Sequence, residues 1–185
     1  MSPILVRPVR EQLEHDRIIR LLQTKFKRKH EVGINPGAEQ NAPVGTGPSA
    51  LFPDLVLTAP DRGHRLQGLV EVETGESVNH LEALAQWTHY SRVRVPFHLY
   101  VPAGMVDVAR RLCEDNEVHV AEIWSYHSVG DQVRFTLVHR SRQAPPPSRP
   151  KPAPKTAAPK AAAPKKPAAK KKPAPKKAAT KKRKK

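Results

Sequence analysis

The chain has 185 residues and a formal charge of +16, very unevenly placed. Residues 141–185 carry 14 Lys and 3 Arg with no Asp or Glu, so residues 1–140 hold the remaining 16 basic residues against all 17 acidic ones, a net charge of −1. One cysteine excludes an internal disulfide and a zinc finger. No segment nears the roughly 18 apolar residues of a membrane span, and Met1-Ser2-Pro3-Ile4-Leu5-Val6-Arg7 lacks the apolar region of a secretory signal.

A neutral body of 140 residues suffices for one domain with one core. Residues 8–29 predict a helix, with Pro8 near its first turn and Ile18, Leu22 and Phe26 as a buried stripe. Lys25, Lys27, Arg28 and Lys29 suit its negative C-terminal end. Residues 30–50, rich in Gly, Pro and Asn, predict a long loop. So long a loop is uncommon in a compact domain, which points to a functional flap or a concealed strand. Gly45-Thr46-Gly47 within it lacks the Gly-Lys-Ser/Thr of a phosphate-cradling loop.

Residues 51–58 and 66–74 predict strands joined by the turn Ala59-Pro60-Asp61-Arg62-Gly63, an antiparallel hairpin. Residues 79–93 predict a helix opened by Asn79 with Glu82 three residues on, a capping-box pattern. A short strand at 96–101 and an amphipathic helix at 105–114 follow, the latter burying Cys113 as an inert thiol. Strands at 119–126 and 132–138 close the body. The order α-β-β-α-β-α-β-β predicts an α/β protein with a mixed sheet flanked by helices. Trp87 and Trp124 read as core anchors.

Along the second strand Glu71 and Glu73 share one face while Val70 and Val72 take the other. Hairpin pairing lets Asp54 approach Glu71. Clustered buried carboxylates repel, and a divalent cation removes the conflict; Mg²⁺ suits a few carboxylates completed by water and phosphate oxygens. The same alternation also describes an ordinary half-exposed strand, so it points to metal only together with its neighbours. Gln86 and Tyr90 are those neighbours, one turn apart on the next helix. His80 and His89 flank them, as surface or helix-end histidines in the first instance.

Pro53-Asp54, Glu71-Val72-Glu73 and Gln86-Trp87-Thr88-His89-Tyr90 together resemble the PD-(D/E)xK nuclease superfamily, the last segment resembling the Q-x-x-x-Y motif of its RecB-like branch. The resemblance spans residues 10–102. It implies a restriction-endonuclease-like mixed sheet and cleavage of phosphodiesters with Mg²⁺ or Mn²⁺. Asp54, Glu71 and Glu73 would be catalytic and metal-binding, with Gln86 and Tyr90 organising substrate. Glu14 of the first helix would join the metal, Glu11 being the alternative. The family's core has three strands before the Gln/Tyr helix, so residues 30–50 must supply one. The motif's lysine is replaced by Glu73, a change that some restriction enzymes of the superfamily tolerate. The body's only lysines are Lys25, Lys27 and Lys29, and the cations nearest in sequence are Arg65 and Arg92.

Residues 141–185 form a second region of Lys, Pro and Ala, without a large aliphatic or aromatic side chain, and are expected to be disordered. They resemble the tails of linker histones and bacterial histone-like proteins. Lys165, Lys166, Lys170, Lys171, Lys172, Lys176, Lys177, Lys181, Lys182, Arg183, Lys184 and Lys185 would displace counterions from nucleic acid without reading sequence. The expectation is a metal-dependent nuclease anchored on DNA, cytoplasmic and nucleoid-associated, or nuclear in a eukaryotic source. The alternative is a nucleic-acid-binding or nucleoid-associated protein of the same fold without turnover. A homodimer is left open; a membrane partner is not expected.

Overall fold

The computed structural model describes residues 8–142, within the first of two units of the chain, Met1–Arg149. The second, Pro150–Lys185, and with it nearly all of the expected disordered tail, lies outside the described residues. Helix α1 (Val9–Phe26) leads into strands β1 (Glu31–Ile34), β2 (Leu55–Thr58) and β3 (Leu66–Val72). Then come α2 (His80–Glu82), a π-helical stretch (Ala83–Trp87) and α3 (Thr88–Ser91). Strand β4 (Phe97–Pro102), α4 (Val106–Asp115), β5 (Glu122–Val129) and β6 (Gln132–Arg140) follow.

The protein is thus α/β, with one mixed six-stranded sheet whose strands lie side by side in chain order. β1, β2 and β3 form an antiparallel meander, β3, β4 and β5 run parallel, and β6 returns antiparallel. Each parallel step needs a crossover, and both crossovers move the same way across the sheet. The right-handed rule therefore puts α2–α3 and α4 on one face, leaving the other to α1.

Two cores follow from strand alternation. Leu69, Leu99, Val101 and Ile123 face Ala83, Trp87, Tyr90, Ala109 and Cys113 of the crossover helices. Val70, Val72, Tyr100 and Leu55 face Ile18, Ile19 and Leu22 of α1. The predicted α1 stripe is therefore the buried one. Burial pushes the Cys113 thiol up to about 12, with Glu114 adding to the shift, so it stays an unreactive thiol at neutral pH. The helix start predicted at Asn79 is present: its side chain accepts from the Glu82 N–H at 3.1 Å. Among the described residues no helix is long and apolar enough to cross a membrane.

The segment 30–50 conceals a short strand, one of the two outcomes its length pointed to. Its first residues are β1, paired with β2 from Glu31↔Thr58 to Ile34↔Leu55. A four-residue edge strand containing Gly33 offers too little alternation to be read from sequence. Gly33 is needed because the chain folds back over it: a Cβ there would meet the Ala42 Cβ at 2.5 Å. Buried Asn35 holds the fold-back. It accepts from Ala42 N–H at 2.7 Å and donates to the Ala42 and Pro53 carbonyls at 3.0 and 2.7 Å. Its own N–H donates to the Asp54 carbonyl at 3.0 Å, so the loop is fastened to the start of β2.

Candidate functional site

Asp54 stands directly before β2, and Glu71 lies near the end of β3. Since Leu55 pairs with Val70, the next step of the ladder brings Asp54 beside Glu71. The Asp54 N–H donates to Glu71 Oε2 at 3.1 Å, and Asp54 Oδ2 accepts from the Val72 N–H at 2.8 Å. Each carboxylate thus replaces a missing rung of the ladder and is fixed by backbone. Both are buried, as is Glu73.

The site lies where the two helical layers meet at the end of the sheet. From α1, His15 Nε2 approaches Asp54 Oδ2 at 3.1 Å, and the imidazole is 1% exposed. His15 Nδ1 lies 3.3 Å from Asp16 Oδ1. Glu11, one turn earlier, accepts from the Thr74 hydroxyl just past β3. Glu14 lies on the exposed side of α1, so the residue that α1 brings to Asp54 is His15. Adjacent helical residues differ by about 100° in direction. A search for an acidic residue passes over the histidine beside it. The signal available in the sequence was the spacing of His15 to Ile18, Ile19 and Leu22, the buried face.

From the opposite layer come Trp87, Gln86 and Tyr90. The stretch that carries the first two is π-helical, an inserted turn of a kind frequent at functional sites. Trp87 Nε1 donates to Glu73 Oε1 at 2.8 Å, and the Tyr126 hydroxyl donates to the Glu73 carbonyl at 2.7 Å. Tyr90 is buried. Burial first, then the charges of Glu71, Asp54, Glu73 and Glu82, raise its phenol far above the ordinary range. It is therefore a neutral donor surrounded by four carboxylates. Gln86 Oε1 is buried and accepts no hydrogen bond from the protein, an acceptor whose desolvation costs about 1–3 kcal/mol until something donates to it.

Glu82, read from the sequence only for its capping position, is buried, and its charge acts on the Tyr90 phenol. Asp54, Glu71, Glu73 and Glu82 are all buried and all act on the Tyr90 phenol, and the His15 imidazole lies beside Asp54. Ionised carboxylates removed from water lose several kcal/mol each unless hydrogen bonds, a proton or a cation compensate. Among the described residues no three His, Cys, Asp or Glu side chains close on one point as a ready-made metal cage. The donor set nevertheless fits a hard cation held by one or two carboxylates and completed by water and phosphate oxygens. His89 is exposed, and His80 lies 3.5 Å from the Asn116 side-chain amide, so neither is brought to the carboxylates. The tail residues from Lys165 to Lys185 lie outside the described residues.

A scan against family models finds no match, and searches of curated proteins and of solved structures return none either.

Proposed function

We propose that residues 8–142 form a divalent-metal-dependent phosphodiesterase of the PD-(D/E)xK type acting on DNA, which the basic tail holds on its substrate. The observation that carries this reading is the clasp of Asp54 and Glu71, each pinned by a backbone N–H or pinning one, with Glu73, Glu82 and Tyr90 around it. The order α1-β1-β2-β3-helix-β4 supports it, because β1 supplies the third strand that the resemblance requires.

Asp54 and Glu71 would hold Mg²⁺ or Mn²⁺, with His15 Nε2 beside Asp54 as a nitrogen donor. The ion would supply an activated water and neutralise charge on the scissile phosphate. The protein's own groups do the rest. Backbone N–H groups keep the two carboxylates in place, the Tyr90 phenol, held neutral, offers a hydrogen-bond donor, and Gln86 Oε1 offers an acceptor for a water or a substrate group.

A second reading, binding without turnover, has its own observation. Glu73, in the lysine position, is tied to the Trp87 indole, and Lys25 sits over Trp124 at 4.4 Å, about 15 Å farther along α1 than His15. Incubation with linear, circular and single-stranded DNA, with Mg²⁺ or Mn²⁺ and then with chelator, separates the two. The nuclease reading expects metal-dependent cleavage that Glu71→Ala reduces at least about 100-fold, the scale of a lost catalytic metal or general-base function. Binding without cleavage of any of the three substrates leaves the second reading.

A further inference from the structure

The carboxylate of Asp16 was not part of any pattern in the sequence, yet it joins α1 to the fold-back after β1. Its Oδ1 accepts from Gln12 Nε2 at 2.8 Å within α1 and from the Gly37 N–H at 3.2 Å in the fold-back after β1. The same oxygen lies 3.3 Å from His15 Nδ1, while His15 Nε2 points at Asp54 Oδ2, 3.1 Å away. One side of the imidazole therefore faces Asp16 and the other faces the carboxylate clasp.

We propose that Asp16 is a positioning residue: it takes the Nδ1–H of His15, so that the Nε2 lone pair is the one presented to a divalent cation beside Asp54. This rests on the metal-dependent reading above. The physical ground is general. A neutral imidazole has one N–H and one lone pair, and the hydrogen bond at one nitrogen decides which is left for the metal. A carboxylate in that role also raises the basicity of the ligand, and its loss weakens metal binding by about 10- to 100-fold. The Gly37 bond gives Asp16 a second task, since it fastens the Asn35-clamped fold-back to the same oxygen. Loop position and imidazole orientation thus share one anchor.

The test uses the full chain with Mn²⁺ as the probe, titrated calorimetrically, and long-range ¹H–¹⁵N spectra of the histidine rings. With diamagnetic Mg²⁺ in place of Mn²⁺ for the spectra, wild type should show His15 protonated at Nδ1 and not at Nε2, whereas without metal Nε2 also faces an acceptor, Asp54 Oδ2. Asp16→Ala should lose that tautomer and weaken Mn²⁺ binding by about 10- to 100-fold. Asp16→Asn, which keeps an oxygen for Gln12 and Gly37 but removes the charge, should stay folded and fall between the two. Gln12→Ala, which leaves the contact between Asp16 and His15 intact, should bind as wild type does. If both Asp16 variants bind Mn²⁺ as wild type does, or if Asp16→Asn restores full affinity, Asp16 merely anchors the loop and the inference fails. If wild type itself takes up no Mn²⁺, the metal-dependent reading falls first and this one with it.

Discussion

Glu73 occupies the position that the proposed nuclease reading gives to a lysine, and its surroundings show a structural part for it. It is fully buried, it receives the Trp87 indole N–H, and its carbonyl receives the Tyr126 hydroxyl from β5. It therefore joins the crossover helix to the end of β3. A hydrogen bond to a charged group contributes about 1.5–3 kcal/mol, so Trp87→Phe should destabilise the fold by at least that amount, the volume lost at a fully buried site adding to it. Glu73→Gln keeps an oxygen for the indole and should shift stability by less than about 1 kcal/mol, near the value for a neutral hydrogen bond. Urea denaturation followed by circular dichroism measures both. Equal, large losses would mean that the charge of Glu73, rather than its contact with Trp87, holds this end of the sheet together. At this scale the sequence showed Asp54 and Glu71 because strand alternation and hairpin pairing are local rules. It hid His15, Asp16 and the Glu73–Trp87 bond, because these depend on how whole layers face one another.

At the scale of elements, legibility follows length. α1, the β2–β3 hairpin and α4 carry enough periodic apolar residues to declare themselves. β1 does not: it has four residues, and its neighbour across the fold-back is a loop residue, Ala42, which no periodicity announces. The three strands β4, β5 and β6 are also tied by charge. Glu122 accepts from Arg140 Nε and from Trp124 Nε1, both at 2.8 Å, and its Oε2 lies at an ion-pair distance of 3.2 Å from His98 Nδ1. Burial opposes ionisation of Glu122, but the Trp124 and Arg140 donors and the charges of His98 and Arg140 outweigh it and hold the carboxyl below its ordinary value. Burial also pushes His98 below its ordinary value, with His30 and Arg140 adding and Glu122 opposing. The two shifts have the same sign in linkage. In each case the unfolded chain binds the proton more readily, so stability rises with pH through the window between the folded and unfolded values. The expected profile is full stability above the ordinary histidine value near 6.5, a first decline as pH falls below it, and a second below the ordinary glutamate value of 4.5. Thermal melts of wild type and His98→Leu between pH 4 and 8 test this. The variant should lose the first decline and keep the second, and an unchanged profile would remove His98 from the account.

For the molecule as a whole, charge divides between a near-neutral body and a basic tail, and the proposed function divides along the same line. A chain ended at Arg142 would keep 17 basic residues against 17 acidic ones and discard 16 cations. The cut should fall there rather than at Arg140, since the Ser141 N–H donates to the Ala121 carbonyl at 2.9 Å and closes the last strand. Each phosphate neutralised contributes about 0.9 to the slope of log affinity against log salt, so a tail that makes most of the phosphate contacts also carries most of that slope. The shortened protein should bind DNA far more weakly at low salt and show a nearly flat salt dependence. The two proteins should converge at high salt, where counterion release no longer favours either. Cleavage adds a sharper criterion. If the tail only raises the local concentration of substrate, its removal raises KM and leaves kcat unchanged, because uniform binding energy is lost without touching the transition state. A fall in kcat on truncation would mean that tail lysines act on the reacting phosphate itself, in the part that the proposed nuclease reading gives to a lysine.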